Sequence, residues 1–320
     1  MSHKKWGLVD LNGNTVLPLH YDFVNQVSEN GIVAVRNSGV AHYIYLDGTS
    51  AVPGEFDRAL PFYWGTAVVQ QDGLYGVINE AGEWIVECQY ERLSRFNSDL
   101  AAVRLNDRFG YINRKGEVVV PLVYKDAQDI HEGLGWLQDL NGNWGCVDTA
   151  GKVRIPFKYQ EVERFGESLA FVVGSDHTGF INSSGELVIE PHGWSRSYGG
   201  FSENVACVMG VRRDEYSWGY SYIDHTGQFT ITKRFKEVYN FSCERAMMQT
   251  KKRWGYINKL GKTIIPAVYE FADNFKFDIG VVKYNGKMGC IGLDGETVFP
   301  FEYDLVWIAR EGLLRVAIES

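Results

Sequence analysis

One glycine returns down the whole chain at an almost fixed interval: Gly13, Gly48, Gly82, Gly116, Gly151, Gly185, Gly227, Gly261 and Gly295. The steps between them are 35, 34, 34, 35, 34, 42, 34 and 34 residues. A period of this size means that one short supersecondary unit is copied, each copy burying its apolar face against the next. Other residues keep the same beat. Six residues before most of these glycines stands an aromatic-glycine pair, clearest at Trp6-Gly7, Trp144-Gly145 and Trp254-Gly255. Five residues after the glycine comes a proline, as at Pro18, Pro53, Pro121, Pro156, Pro266 and Pro300. An aromatic follows three residues later, for example Tyr21, Tyr124 and Tyr269.

Each copy reads as three strands. The first is typified by Trp254-Gly255-Tyr256-Ile257-Asn258. Asp or Asn stands three residues before the turn glycine in seven of nine copies. That is the signature of a turn capped by an Asx side chain, with glycine supplying a positive φ. The second strand alternates, as in Lys262-Thr263-Ile264-Ile265, and proline, lacking an N–H for the ladder, ends it. About a dozen irregular residues follow. A third strand such as Leu169-Ala170-Phe171-Val172 then returns into the next Trp-Gly strand. No window has helical period with caps, so an all-β chain is expected.

This pattern resembles the WG-repeat (KWG-repeat) family of bacterial proteins, carried most completely by Arg253 to Tyr269 and by Lys5 to Asp22. The chain departs from it at His42 and Ser221, which stand where the Trp-Gly glycine belongs, and between Pro191 and Tyr220. The resemblance implies a β-repeat array with no fixed reaction. Some repeat proteins of this general kind are partner-binding surfaces, toxin neutralisers among them.

The expected architecture is a single array over residues 1–320: nine three-stranded antiparallel copies closing into a propeller-like ring, the alternative being an open curved β-solenoid. Phase argues for closure. The chain starts on a Trp-Gly strand and ends on a third strand, so Val316 is placed to pair with Trp6 and Gly7. The first and last copies are also as apolar as the middle ones, whereas an open array needs polar caps. Against closure, nine units exceed the usual four to eight blades, and three strands fall short of the usual four.

Composition limits the function. A net charge of −8 and a pI of about 5.5 give no field that attracts nucleic acid or an anionic membrane, but suit a basic protein partner. Five scattered cysteines without a Cys-x-x-Cys pair point to a reducing, cytoplasmic setting rather than to zinc or a disulfide framework. Neither an apolar leader nor a bilayer-length run is seen. The seven histidines are isolated, and the Asx turns bring no set of oxygens to one point, so no metal or cofactor is implied.

Residues that recur in every copy serve the copy's own packing, so Trp6, Trp144 and Trp254 are expected to wedge between neighbours. The one sharp candidate is the 42-residue step, where extra residues fall in a hairpin holding Arg212, Arg213, Tyr216 and Trp218. Arg, Tyr and Trp are enriched at binding hot spots. Trp194, Arg196 and Tyr198 share the interruption, and the plain alternative is a tolerated insertion. A second set is the off-motif Trp64, Trp84, Trp136 and Trp307. The leading functional expectation is a non-catalytic protein-binding scaffold, in a specific version an immunity-type protein covering a basic toxin. A glycan or small-ligand binder is the alternative. An enzyme with its site at a ring centre ranks last, because no acid, base and nucleophile set is legible.

Overall fold

The computed structural model describes residues 4–210 and 219–319. Strands make up more than half of them, with no helix among the described residues. The chain divides into two compact units. The first is Met1–Asp129 with Gly286–Cys290 and Val298–Ser320, and the second is Ile130–Asn285 with Ile291–Thr297.

A regular copy in the first unit shows the building plan. Leu100–Leu105 pairs antiparallel with Arg108–Asn113, which pairs with Val118–Tyr124. These are the three strands that the period implies. A short fourth strand, Arg92–Leu93, is added on the outer side of Leu100–Leu105, Arg92 standing opposite Arg104. It comes from the stretch that reads as irregular, because two residues are too few to show alternation. The same addition is made by Arg58–Ala59 and, in the second unit, by Phe271–Ala272. The repeating element is thus a four-stranded antiparallel meander, the propeller-like blade. The sheet of Ala246–Thr250, Arg253–Ile257 and Thr263–Tyr269 stops at three, with only a bridge from Val238 to Met248 in the fourth place. Elsewhere in that unit Val153–Val162 runs on past its proline and also edges the following copy, pairing with both Trp144–Asp148 and Leu169–Gly174.

In the first unit the two ends of the chain share a sheet. Lys4–Asp10 pairs with Leu313–Glu319 along its whole length, Gly7 opposite Val316. Thr15–Tyr21 and Leu305–Arg310 flank the pair. The shared phase of the ends anticipated this pairing, and it leaves neither terminal strand with an open edge.

Local chemistry explains the recurring residues. At Asn113 the side-chain Oδ1 accepts the N–H groups of Lys115 (2.9 Å) and Glu117 (3.0 Å), while Gly116 takes φ 81°. Asp10, Asp148, Asn182, Asp224 and Asn258 cap their turns in the same way. The Trp-Gly glycine has a different cause. A register shift between Trp254 and Tyr256 pushes the backbone of Thr263–Tyr269 inward, so that a Cβ on Gly255 would lie 2.5 Å from the carbonyl oxygen of Ile265. Gly7 meets Leu17 at the same distance. Ion pairs add a third device, joining residues 17 apart: Lys5 to Asp22 and Lys287 to Asp304, both at 2.6 Å, in the first unit. Asp22 also accepts the N–H of Ser38, and Asp304 that of Glu319, so each carboxylate is held below the usual range, chiefly by its lysine.

The core is a series of clusters shared between one sheet and the next. One joins Leu169, Phe171, Phe180 and Ile189 to Trp194, Phe201, Val208 and Ile223. Fully burying such a side chain contributes about 1.5–3 kcal/mol. Trp6 packs against Val24 and Val33 of the neighbouring sheet, the wedge expected of it. Trp144 and Trp254 are only half-buried.

Candidate functional site

Just before its third strand, each regular copy carries a short stretch ending in a buried ring or aliphatic side chain, including Phe62, Phe96, Phe165, Phe241 and Phe275. The backbone of this lining stretch is held by a tyrosine of the Trp-Gly strand, which donates to a carbonyl 17 residues on. The bonds are Tyr43 to Leu60 (2.6 Å), Tyr111 to Gln128 (2.7 Å), Tyr222 to Tyr239 (2.5 Å) and Tyr256 to Asp273 (2.7 Å). In the copy that carries Cys146 in place of the tyrosine, Nε1 of Trp136 donates to Glu163 (2.9 Å). A fixed backbone with unconstrained side chains results. The pairs that follow from it all differ: Leu60-Pro61, Ser94-Arg95, Gln128-Asp129, Glu163-Arg164, Tyr239-Asn240 and Asp273-Asn274.

In the first unit these stretches surround a cavity of ≈ 490 Å³ whose side chains satisfy one another. The Tyr63 hydroxyl donates to Oε1 of Gln26 (2.6 Å), and the Arg95 guanidinium lies 4.9 Å from the Tyr63 ring centroid. The second unit differs. There the interrupted copy puts Gly199 and Gly200, at φ 83° and 71°, where its neighbours carry side chains. Asn240 reaches the carbonyl of Gly199 (3.0 Å) from one side, and the carboxylate of Glu163 faces the two glycine N–H groups from the other. Burial raises the Glu163 carboxyl above its ordinary value, with those N–H groups opposing. A cavity of ≈ 810 Å³ opens beside the glycines, walled by Tyr198, Tyr220, Tyr239 and Asn274 among others. The rings of Tyr198 and Tyr220 meet edge to face at 5.0 Å, and the hydroxyl contact with Tyr198 pushes the Tyr220 phenol up to about 12. Oε2 of Glu163 and Oδ1 of Asn240 and Asn274 are buried without a hydrogen-bond partner.

A second feature is a row of tight turns entering the third strands, built on left-handed backbone. In the second unit these turns are latched copy to copy by carboxylates. Glu132 accepts the N–H of Ser168 (2.9 Å), Glu167 that of Asn204 (3.0 Å) and Glu203 that of Glu244 (3.0 Å). In the first unit the equivalent turn carries Trp64, 73% exposed at φ 53°. Left-handed backbone costs a residue with a Cβ about 1–2 kcal/mol. Beside Trp64 lies a shallow hollow of ≈ 170 Å³ edged by Glu29 and Glu80.

The residues singled out from the sequence fall in different places. Arg212, Arg213, Tyr216 and Trp218 lie outside the described residues. Trp194 is 2% exposed and packs against Phe171 and Phe180, so as placed it offers no surface to a partner. It reads as off-motif because it fills the core at an irregular point of the period. Arg196 pairs on the surface with Glu161 (2.9 Å), and Tyr198 reaches the cavity. Of the off-motif tryptophans, Trp136 is core at 1% exposure, stacked on Phe165, and Trp307 packs against the cluster that holds Trp6. Trp84 is 37% exposed and touches Phe56. Sequence reasoning missed Tyr239, Asn240, Asn274 and Glu163. Their signal was available: they occupy two adjacent offsets of the period, and the pair as a whole differs among those copies.

No curated protein sequence matches the chain. Among solved structures, one titled as the eukaryotic initiation factor superposes with a TM-score of 0.61 at 8% identity, covering 93% of this chain and 96% of that one, a likeness of fold alone. The WD40 β-propeller domain of Doa1 gives a TM-score of 0.32 at 9% identity over 93% of this chain and 92% of that one, too low to support an argument. The family described as WG containing repeat matches nine times, at residues 6–40, 43–75, 75–108, 109–144, 144–173, 179–209, 220–253, 254–287 and 288–320. Those nine matches tile nearly the whole sequence in step with the glycine ladder, and the chain belongs to the WG-repeat family.

Proposed function

We propose that this chain is a non-catalytic scaffold that binds another protein, with Trp64 at the centre of the contact. The observation that carries the reading is a large aromatic, 73% exposed, at a turn where packing asks for no ring. Tryptophan is among the residues most enriched at binding hot spots. Glu29 and Glu80 beside it, on a chain of net charge −8, favour a partner with basic groups around an apolar anchor. A basic toxin neutralised by an immunity-type protein is the specific version. Five free thiols suit a cytoplasmic location.

The test is capture of partners from a host lysate on the immobilised chain, followed by titration of each purified partner against wild type and variants. Trp64→Ala should weaken a true partner by about thirtyfold or more while melting stays unchanged. The double change Arg213→Ala with Trp218→Ala asks the same of the 42-residue step in the period. A partner that binds Trp64→Ala as tightly as wild type removes Trp64 from the contact, and failure to retain any protein removes the scaffold reading.

A further inference from the structure

We propose that the cavity beside Gly199 and Gly200 binds a short carbohydrate. The inference uses residues of the second unit only, so it stands or falls separately from the Trp64 contact. Its volume, ≈ 810 Å³, lies within the roughly 300–1,000 Å³ of small-ligand sites. The space exists because one copy omits the side chains that its neighbours supply. A glycine pair at positive φ, locked between Glu163 and Asn240, keeps that omission rigid.

The lining states what would fill the space. Tyr198 and Tyr239, 44% and 42% exposed, present ring surface to it, and such rings stack on the C–H faces of sugars. Asn240 and Asn274 of the wall set amide groups beside those rings, so the cavity joins ring surface to neutral hydrogen-bonding side chains. Arg164 and Lys236 are balanced at the same cavity by Glu132 and Glu237, which favours neither an anion nor a cation over a neutral polar ligand. Apolar C–H faces combined with several hydroxyl donors are the description of a sugar.

The experiment begins with the intact chain on an array of neutral and acidic oligosaccharides. The retained glycan is then titrated calorimetrically against wild type, Tyr198→Ala, Gly200→Asn and Trp64→Ala. Asparagine tolerates left-handed backbone, and a Cβ at Gly200 meets only the Arg164 carbonyl oxygen, at an ordinary 3.6 Å. Gly200→Asn therefore refills the hole without disturbing the fold, which a melting curve checks. Tyr198→Ala and Gly200→Asn should each weaken binding about tenfold or more, with Trp64→Ala equal to wild type. An array with no retained glycan overturns the proposal. So does a glycan whose affinity survives both Tyr198→Ala and Gly200→Asn within about twofold, or one lost in Trp64→Ala.

Discussion

The regular copy ending at Tyr269 and the interrupted copy that reaches Ile223 solve the same packing problem with different residues. In the regular copy, Gly255 lets the Ile265 carbonyl cross over it, with no room for a Cβ. In the interrupted copy Ser221 occupies that place, and its hydroxyl donates to the Ile231 carbonyl that a glycine would merely have admitted. In the lining stretch the order reverses: the regular neighbour carries Tyr239 and Asn240, and the interrupted copy carries two glycines. The framework is therefore a set of backbone positions, and a copy that fixes them by another route is released from the motif elsewhere. Gly199, at the place of that release, stands in the wall of the cavity.

The largest expected effect tests whether the crossing is as strict as this contrast implies. Gly255→Val should cost on the order of 3 kcal/mol or more, since backbone atoms of Ile265, Pro266 and Ala267 all lie within 2.7 Å of the new Cβ. Ser221→Gly, in the copy that already yields, should cost about 1 kcal/mol, the value of one buried hydrogen bond. Urea midpoints measure both. Equal losses would show that the two copies do not differ at this position, and the contrast would fail.

The tyrosine clamp should behave identically in the two regions. Tyr222→Phe frees the carbonyl of Tyr239 and Tyr256→Phe that of Asp273, each a part-buried acceptor, so each should cost about 0.5–1.5 kcal/mol. Burial raises the Tyr222 phenol well above its ordinary 10.0. A raised phenol contributes stability that is present below the unfolded value and lost as pH rises beyond it. Wild type should therefore lose stability above pH 10 more steeply than Tyr222→Phe. Parallel alkaline curves would mean that Tyr222 is not the group being titrated.

How much of this was legible follows from what repeats. The glycine ladder, the Asx caps at residues such as Asn113 and the pairing of Gly7 with Val316 all follow from residues that recur or from the phase of their recurrence. The short edge strands did not show, because Arg92–Leu93 is too brief to carry a period. The carboxylate latches at Glu132, Glu167 and Glu203 look like solvated surface charge until the neighbouring turn is placed beside them. Trp194 was drawn toward the surface by its place in an interruption, yet large rings are buried wherever a cluster has room for them. The cavity was the least visible feature, since it is made by missing side chains and lined by residues 34 to 75 positions apart, such as Arg164, Tyr198 and Tyr239.

The smallest expected effect separates the regions by the sign of their pH dependence. Asp22, in a regular copy, has its carboxyl lowered from 3.8 by Lys5 and by the N–H of Ser38. Its contribution is complete above the unfolded value and is lost as pH falls through the folded one. Glu163, against the interrupted copy, is raised from 4.5 by burial. Its contribution is complete below the unfolded value and is lost as pH rises through the folded one, where an incompletely paired carboxylate must ionise. Replacing it by the isosteric amide removes that loss. Glu163→Gln should melt with wild type near pH 4, where both side chains are neutral, and about 1–3 °C above it at pH 7. Asp22→Asn should do the reverse, melting below wild type at pH 7 and converging with it in acid. If Glu163→Gln instead melts below wild type at pH 7, the Gly199 and Gly200 N–H groups stabilise the carboxylate more than burial penalises it. The buried acid would then be one of the framework's own hydrogen-bond acceptors rather than a group that burial penalises on balance.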